Sequence, residues 1–123
     1  MEYQLGTSIV NKSSGKIVFD RSVLLNIINL SAKEVEGVTG LIDNFSPLRK
    51  KWLSNRYYDG VKVDYENSGI TINIYLEIDS KYKISDIAYK VQENVKDSLS
   101  YMTDVKINSI NIHVLGVNFP TDI

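Results

Sequence analysis

The stretch VKVDYENSGITINIYLEI, residues 61–78, constrains the fold of this 123-residue chain more than any other. Val61, Val63 and Tyr65 alternate with Lys62 and Asp64. Ile70, Ile72, Ile74, Leu76 and Ile78 then alternate with Thr71, Asn73, Tyr75 and Glu77. Successive strand side chains point to opposite faces, so a period of two predicts two strands with one apolar and one polar face. Between them, Glu66-Asn67-Ser68-Gly69 supplies turn chemistry, and the pair reads as a β-hairpin. A hairpin with one apolar face needs a cover.

Two one-sided helical patterns supply it. In the first, Val23, Leu24, Ile27, Ile28 and Val35 recur at three- and four-residue spacing, with Ser31 and Ala32 on the same side. Asp20 or Ser22 is the expected N-cap, and Gly37 the expected stop. In the second, from about Ser85 to Met102, the stripe is Ile87, Ala88, Val91, Val95, Leu99 and Met102. Ser85 is its candidate cap, with Ile84 just before it. Residues 15–20 (GKIVFD) read as a strand entered through Ser13-Ser14-Gly15. The last strand lies in 105–117. There the apolar phase slips from odd positions (Val105, Ile107) to even ones (Ile110, Ile112, Val114), which predicts a turn or bulge at Asn108–Ser109.

The order β-α-β-β-α-β, with an irregular tract after the first helix, predicts an α+β two-layer sandwich. Its sheet is mostly antiparallel, with two main helices on one face and the other face polar. Residues 1–14 read as a flexible N-terminal lead-in, 15–117 as one domain and 118–123 as a loose tail. Ser46-Pro47 suits the start of a short helix running to about Arg56.

Composition removes several function classes. The net charge of −1 builds in no global attraction to nucleic acid or anionic membrane. With no cysteine, disulfides, thiolate nucleophiles and cysteine-based zinc sites are excluded. No run approaches the roughly 18 apolar residues of a membrane span, and the first residues lack the pattern of a signal peptide.

Motifs for catalysis are thin. Glu34 and Glu36, in SAKEVEGVTGL, stand two apart, a spacing at which helical side chains do not face each other. They read as the end of a helix. His113 is the single histidine and is expected on the polar sheet face beside Asn111; a lone strand histidine is usually a surface residue. One histidine cannot build a histidine-rich metal site, and Asp64-Tyr65-Glu66-Asn67 is too sparse for calcium. No phosphate-binding loop or nucleophile elbow is present. No catalytic, cofactor or metal residues are therefore expected.

Two surfaces remain. The polar sheet face would carry Lys62, Asp64, Asn73, Tyr75, Glu77, Asn111 and His113, and its exposed edge could pair with another copy of the chain. The other is the tract LRKKWLSNRYY, where Arg49, Lys50, Lys51 and Arg56 sit among Trp52, Tyr57 and Tyr58. Basic residues among aromatics suit an acidic protein, anionic headgroups or RNA bases. The plainer reading is a short helix docked through Leu48 and Trp52 with a solvated basic side.

Four strings in order carry a family resemblance. GKIVFDRSVLLNIINLSAKEVEGV resembles the opening of the alkaline shock protein family of Gram-positive bacteria and their relatives. GVKVDYENSGITINIYLEI looks like that family's hairpin, ISDIAYKVQENVKDSL like its second helix, and YMTDVKINSINIHVLGV like its ending. The resemblance spans residues 15 to 117. It implies a non-enzymatic protein tied to envelope stress or lipid homeostasis, cytoplasmic and held at the inner face of the membrane by a membrane-anchored protein partner, with self-assembly. It brings no catalytic residues; Gly15, Glu34, Gly37, Val38, Gln92 and Gly116 carry over as structural positions, and the tract 44–59 departs from the pattern. A scaffold or adaptor is thus the leading expectation. A small RNA-binding domain using Arg49, Lys50, Lys51, Trp52, Arg56, Tyr57 and Tyr58 is the alternative, against the chain's net charge.

Overall fold

The alternating stretch folds as it reads. In the computed structural model, which describes residues 7–12, 15–42, 57–58 and 60–120, it forms β5 (Val61–Glu66) and β6 (Gly69–Asp79). They pair antiparallel from Val61↔Ile74 to Glu66↔Gly69. Gly69 sits at φ +146°, and a Cβ there would stand 2.5 Å from the Lys106 carbonyl oxygen, so the turn requires glycine.

The other elements are β1 (Thr7–Lys12), β2 (Gly15–Asp20), α1 (Arg21–Lys33), β3 (Val38–Leu41), β4 (Tyr57–Tyr58), α2 (Ile84–Met102) and β7 (Ile107–Asn118). β6 is the hub. Along one edge it pairs antiparallel with β3 (Val38↔Ile78 to Leu41↔Leu76) and then β5, which continues to β4. Along its other edge it pairs parallel with β7. A parallel neighbour needs a crossover, and α2 provides it. The result is the expected α+β sandwich, with β3, β4 and the parallel setting of β7 added. Part of the expected lead-in is also strand: β1 pairs antiparallel with β2 from Thr7↔Asp20 to Lys12↔Gly15, consistent with the β-branched Thr7, Ile9 and Val10. The short helix expected near Pro47–Arg56 lies outside the described residues.

The even-numbered side chains of β6, Ile70, Ile72, Ile74, Leu76 and Ile78, are fully buried, with Val61 and Val63 beside them. Over them lie Leu24, Leu25, Ile28 and Ala32 of α1 and Ile87, Val91, Val95 and Leu99 of α2. Each buried Val, Leu or Ile side chain among them contributes about 1.5–3 kcal/mol of transfer free energy. The α1 stripe is rotated from its expected setting: Leu25 is buried, while Val23 is 42% exposed. Both stripes contain Leu24 and Ile28, and the rotated one buries the larger Leu25 in place of Val23.

Helix ends differ in detail. Asp20 occupies the N-cap position of α1 without a side-chain bond. α2 begins at Ile84, one residue before the expected cap Ser85, with the Lys83 carbonyl accepting from the Asp86 and Ile87 N–H groups. Asp79 closes the preceding turn, its side chain accepting from the Lys81 N–H and its carbonyl from the Tyr82 N–H. Met102 lies at the far end of α2 and is exposed, outside the apolar stripe. The expected stop at Gly37 falls too late: α1 ends at Lys33 with Glu34 as its C-cap. Gly37, at φ +101°, instead serves the turn into β3, where a Cβ would meet Ile87 Cδ1 at 2.6 Å.

β7 carries the expected bulge. Its register jumps from Ile70↔Ile107 to Thr71↔Ser109, leaving Asn108 extra, and jumps again between Leu76↔Val114 and Glu77↔Gly116, leaving Leu115 extra. The first jump moves the apolar phase from odd to even, so Ile107, Ile110, Ile112 and Val114 all pack on the core. The strand ends at Asn118, and Phe119 and Pro120 after it are exposed.

Candidate functional site

Odd-numbered β6 residues emerge on the face opposite the helices. The register places Lys62 and Asp64 on one side of them, and Ser109, Asn111 and His113 on the other. These side chains bond to one another. His113 Nε2 lies within hydrogen-bonding distance of Asn73 Oδ1, at 3.0 Å. Asn111 Nδ2 donates to the same oxygen at 3.2 Å. The His113 ring stacks on Tyr75 with centroids 4.6 Å apart and planes 18° from parallel. Burial, followed by the nearby Asp64 charge, raises the Tyr75 pKa above its ordinary value.

Toward the ends of the face, Thr39 Oγ1 donates to Glu77 Oε1 at 2.8 Å and Lys62 approaches Asp64 at 3.8 Å. At the hairpin, Thr71 Oγ1 donates to Glu66 Oε1 at 2.8 Å and Asn108 Nδ2 to the same oxygen at 3.0 Å. These two bonds lower the Glu66 pKa, the Thr71 bond most. Among the described residues this face carries more carboxylates, Asp64, Glu66, Glu77 and Asp79, than lysines, Lys62 alone. His113 is thus engaged through its Nε2 with Asn73 and through its ring face with Tyr75.

The two glutamates near Gly37 serve different partners. Glu34 Oε2 accepts from Asn94 Nδ2 of α2 at 3.3 Å, and Glu36 Oε1 accepts from the Tyr82 hydroxyl at 2.8 Å. They anchor the end of α1 to α2 and to the turn before it. Gln92 is likewise a tie: its Nε2 donates to the Ile110 carbonyl at 2.8 Å, holding α2 to β7. A groove of about 410 Å³ runs between these two elements, with Val105, Ile107 and Ile110 among its apolar lining and Glu93, Lys96 and Ser100 among its polar lining.

Of the expected partner-binding tract, Arg49, Lys50, Lys51, Trp52 and Arg56 lie outside the described residues. Tyr57 and Tyr58 form β4, whose backbone pairs with β5. The seven residues expected on the polar face do share it, joined by Thr71 and Ser109. Sequence reasoning named an exposed sheet edge as a surface but not which strand forms it; among the described residues β7 pairs with β6 alone and is an edge strand. Its signal was present: residues 107–118 contain no Asp, Glu, Lys, Arg or Pro. Among the described residues no helix is long and apolar enough to cross a membrane.

Comparison with known proteins agrees with the resemblance. Residues 9–119 match the model of the alkaline shock protein 23 family, described as having a cell-envelope-related function. The chain is 36% identical over 108 residues to YqhY of Bacillus subtilis, an uncharacterized protein, covering 87% of this chain and 80% of YqhY. It is 28% identical to the uncharacterized Spy1614 of Streptococcus pyogenes (88% and 92% covered) and 28% identical to the uncharacterized YloU of B. subtilis (84% and 88%). Among solved structures it is similar to MamM CTD variants, at 17% identity and a TM-score of 0.48, over 77% of this chain and 93% of the first of them.

Proposed function

From its membership of the alkaline shock protein 23 family, whose function is cell-envelope-related, we propose that this chain is a non-enzymatic scaffold or adaptor. It works from the cytoplasmic side of the envelope, through a protein partner and through contacts with its own copies. One observation carries this reading. The helices cover one face of the sheet, while the described residues leave the other face and the outer side of β7 uncovered. The polar groups on that face bond to one another rather than converging on a point where a reacting atom would sit. Such a surface presents a fixed pattern of donors, acceptors and rings, which suits recognition.

Light scattering over a concentration range, at low and high salt, tests it. A molar mass that rises with concentration and persists in high salt is the expected result, because neutral backbone and apolar contacts are not screened. A mass fixed at one chain throughout removes self-association from the reading.

A further inference from the structure

We propose that β7 pairs antiparallel with β7 of a second copy, about a twofold axis at Ile112, joining two sheets into one. This rests on the self-association proposed above and assigns its surface.

The ladder shows which backbone groups are available. Tyr75 gives its N–H to the Gly60 carbonyl and accepts from Ile42, so odd-numbered β6 residues serve β5 and β3. Ile70 gives its N–H to Lys106 and Ser80 gives its own to Asn118, so even-numbered positions serve β7. In a parallel pair the residues flanking each register partner take the bonds. Ser109, Asn111 and His113 therefore serve β6, and the N–H and C=O groups of Ile110, Ile112 and Val114 face outward. The Ile110 carbonyl confirms this direction, since it meets the Gln92 side chain and not a strand.

Natural sheets guard such an edge with Lys, Pro, inward charge, bulges, short length or a covering helix or loop. β7 is twelve residues long and has none of the residue guards from 107 to 118. Its bulges at Asn108 and Leu115 leave 109–114 regular. An axis at Ile112 uses all three outward-facing residues inside that window. Ile110 of one copy then falls opposite Val114 of the other, and Asn111 opposite His113. The half-buried row Ile110, Ile112 and Val114 meets the same row, so the two cores run on into each other. No like charges meet, and the strand is its own complement. That is why the occupant is a second copy rather than an unrelated chain. Gln92 occupies the Ile110 carbonyl in the lone chain, so pairing exchanges one hydrogen bond for another and the seam is reversible.

The absence of cysteine makes the register directly readable. Two single variants, Asn111→Cys and His113→Cys, are prepared, and each is oxidised alone and mixed with the other, alongside light scattering of the unaltered chain. In the proposed register residue 111 faces residue 113 of the other copy as a non-hydrogen-bonded pair, about 4.5 Å between Cα atoms. The mixture is expected to cross-link roughly tenfold faster than either variant alone, because only the mixed pair has disulfide geometry. If the unaltered chain associates but the mixture cross-links no faster, the β7 seam is wrong and self-association stands. If the unaltered chain keeps the mass of one chain, both fall.

Discussion

The bond from Tyr82 to Glu36 shows what a single side chain does at the end of α1. The Tyr82 hydroxyl donates to the Glu36 carboxylate, and that bond is the main cause of a Tyr82 pKa raised above its ordinary value of 10.0. A folded-state pKa above the unfolded one means that the contact contributes fully below pH 10. The contribution is lost as the pH rises through the folded value. Followed by its ring resonances in an alkaline titration, Tyr82 is expected to ionise above the ordinary tyrosine value of 10.0. Glu36→Gln brings its midpoint down toward that value; an unchanged midpoint would show that the bond does not form. Glu34 and Glu36 were legible as a helix end because their spacing forbids a facing pair. Their separate partners were not, since Asn94 lies 60 residues from Glu34 and Tyr82 lies 46 from Glu36.

At the scale of elements, Gln92 joins α2 to β7 through the Ile110 carbonyl. Gln92→Ala removes this bond and is expected to destabilise the fold by about 1 kcal/mol, the usual net worth of an intramolecular hydrogen bond. Urea unfolding at low protein concentration measures it as a lowered midpoint with unchanged slope. Legibility also divides by element. β5, β6 and the α2 stripe could be read because one period runs unbroken along each, as in Ile70 to Ile78. The bulge at Asn108 was legible for the same reason, as a break in period. β3 has no such signal: Val38, Thr39, Gly40 and Leu41 are too few to show a period, and their pairing is decided by β6. The rotation of α1 was hidden because Leu24 and Ile28 belong to either stripe. The open face was legible residue by residue, from Lys62 to His113, since it is the other half of the same alternation. The edge was not, because the position of β7 at the rim depends on its parallel pairing.

For the molecule as a whole, the parallel setting of β7 orders events in time. β5 and β6 meet across a two-residue turn and can close early. β7 reaches β6 only after α2 has formed and crossed, with partners such as Asn73 and Asn111 38 residues apart in sequence. Closing so long a loop costs entropy before any contact rewards it. The hairpin and helix are therefore expected to form the folding nucleus, and β7 to dock after the barrier. Stopped-flow chevrons resolve this: Val63→Ala in β5 slows refolding, while Ile112→Ala in β7 chiefly speeds unfolding. Equal effects of both on the refolding arm would place β7 inside the nucleus. With β7 as the last strand to arrive, each newly made chain passes through a stage in which the β6 edge is bare. How long that stage lasts sets the time in which a nascent chain can be captured by the wrong strand.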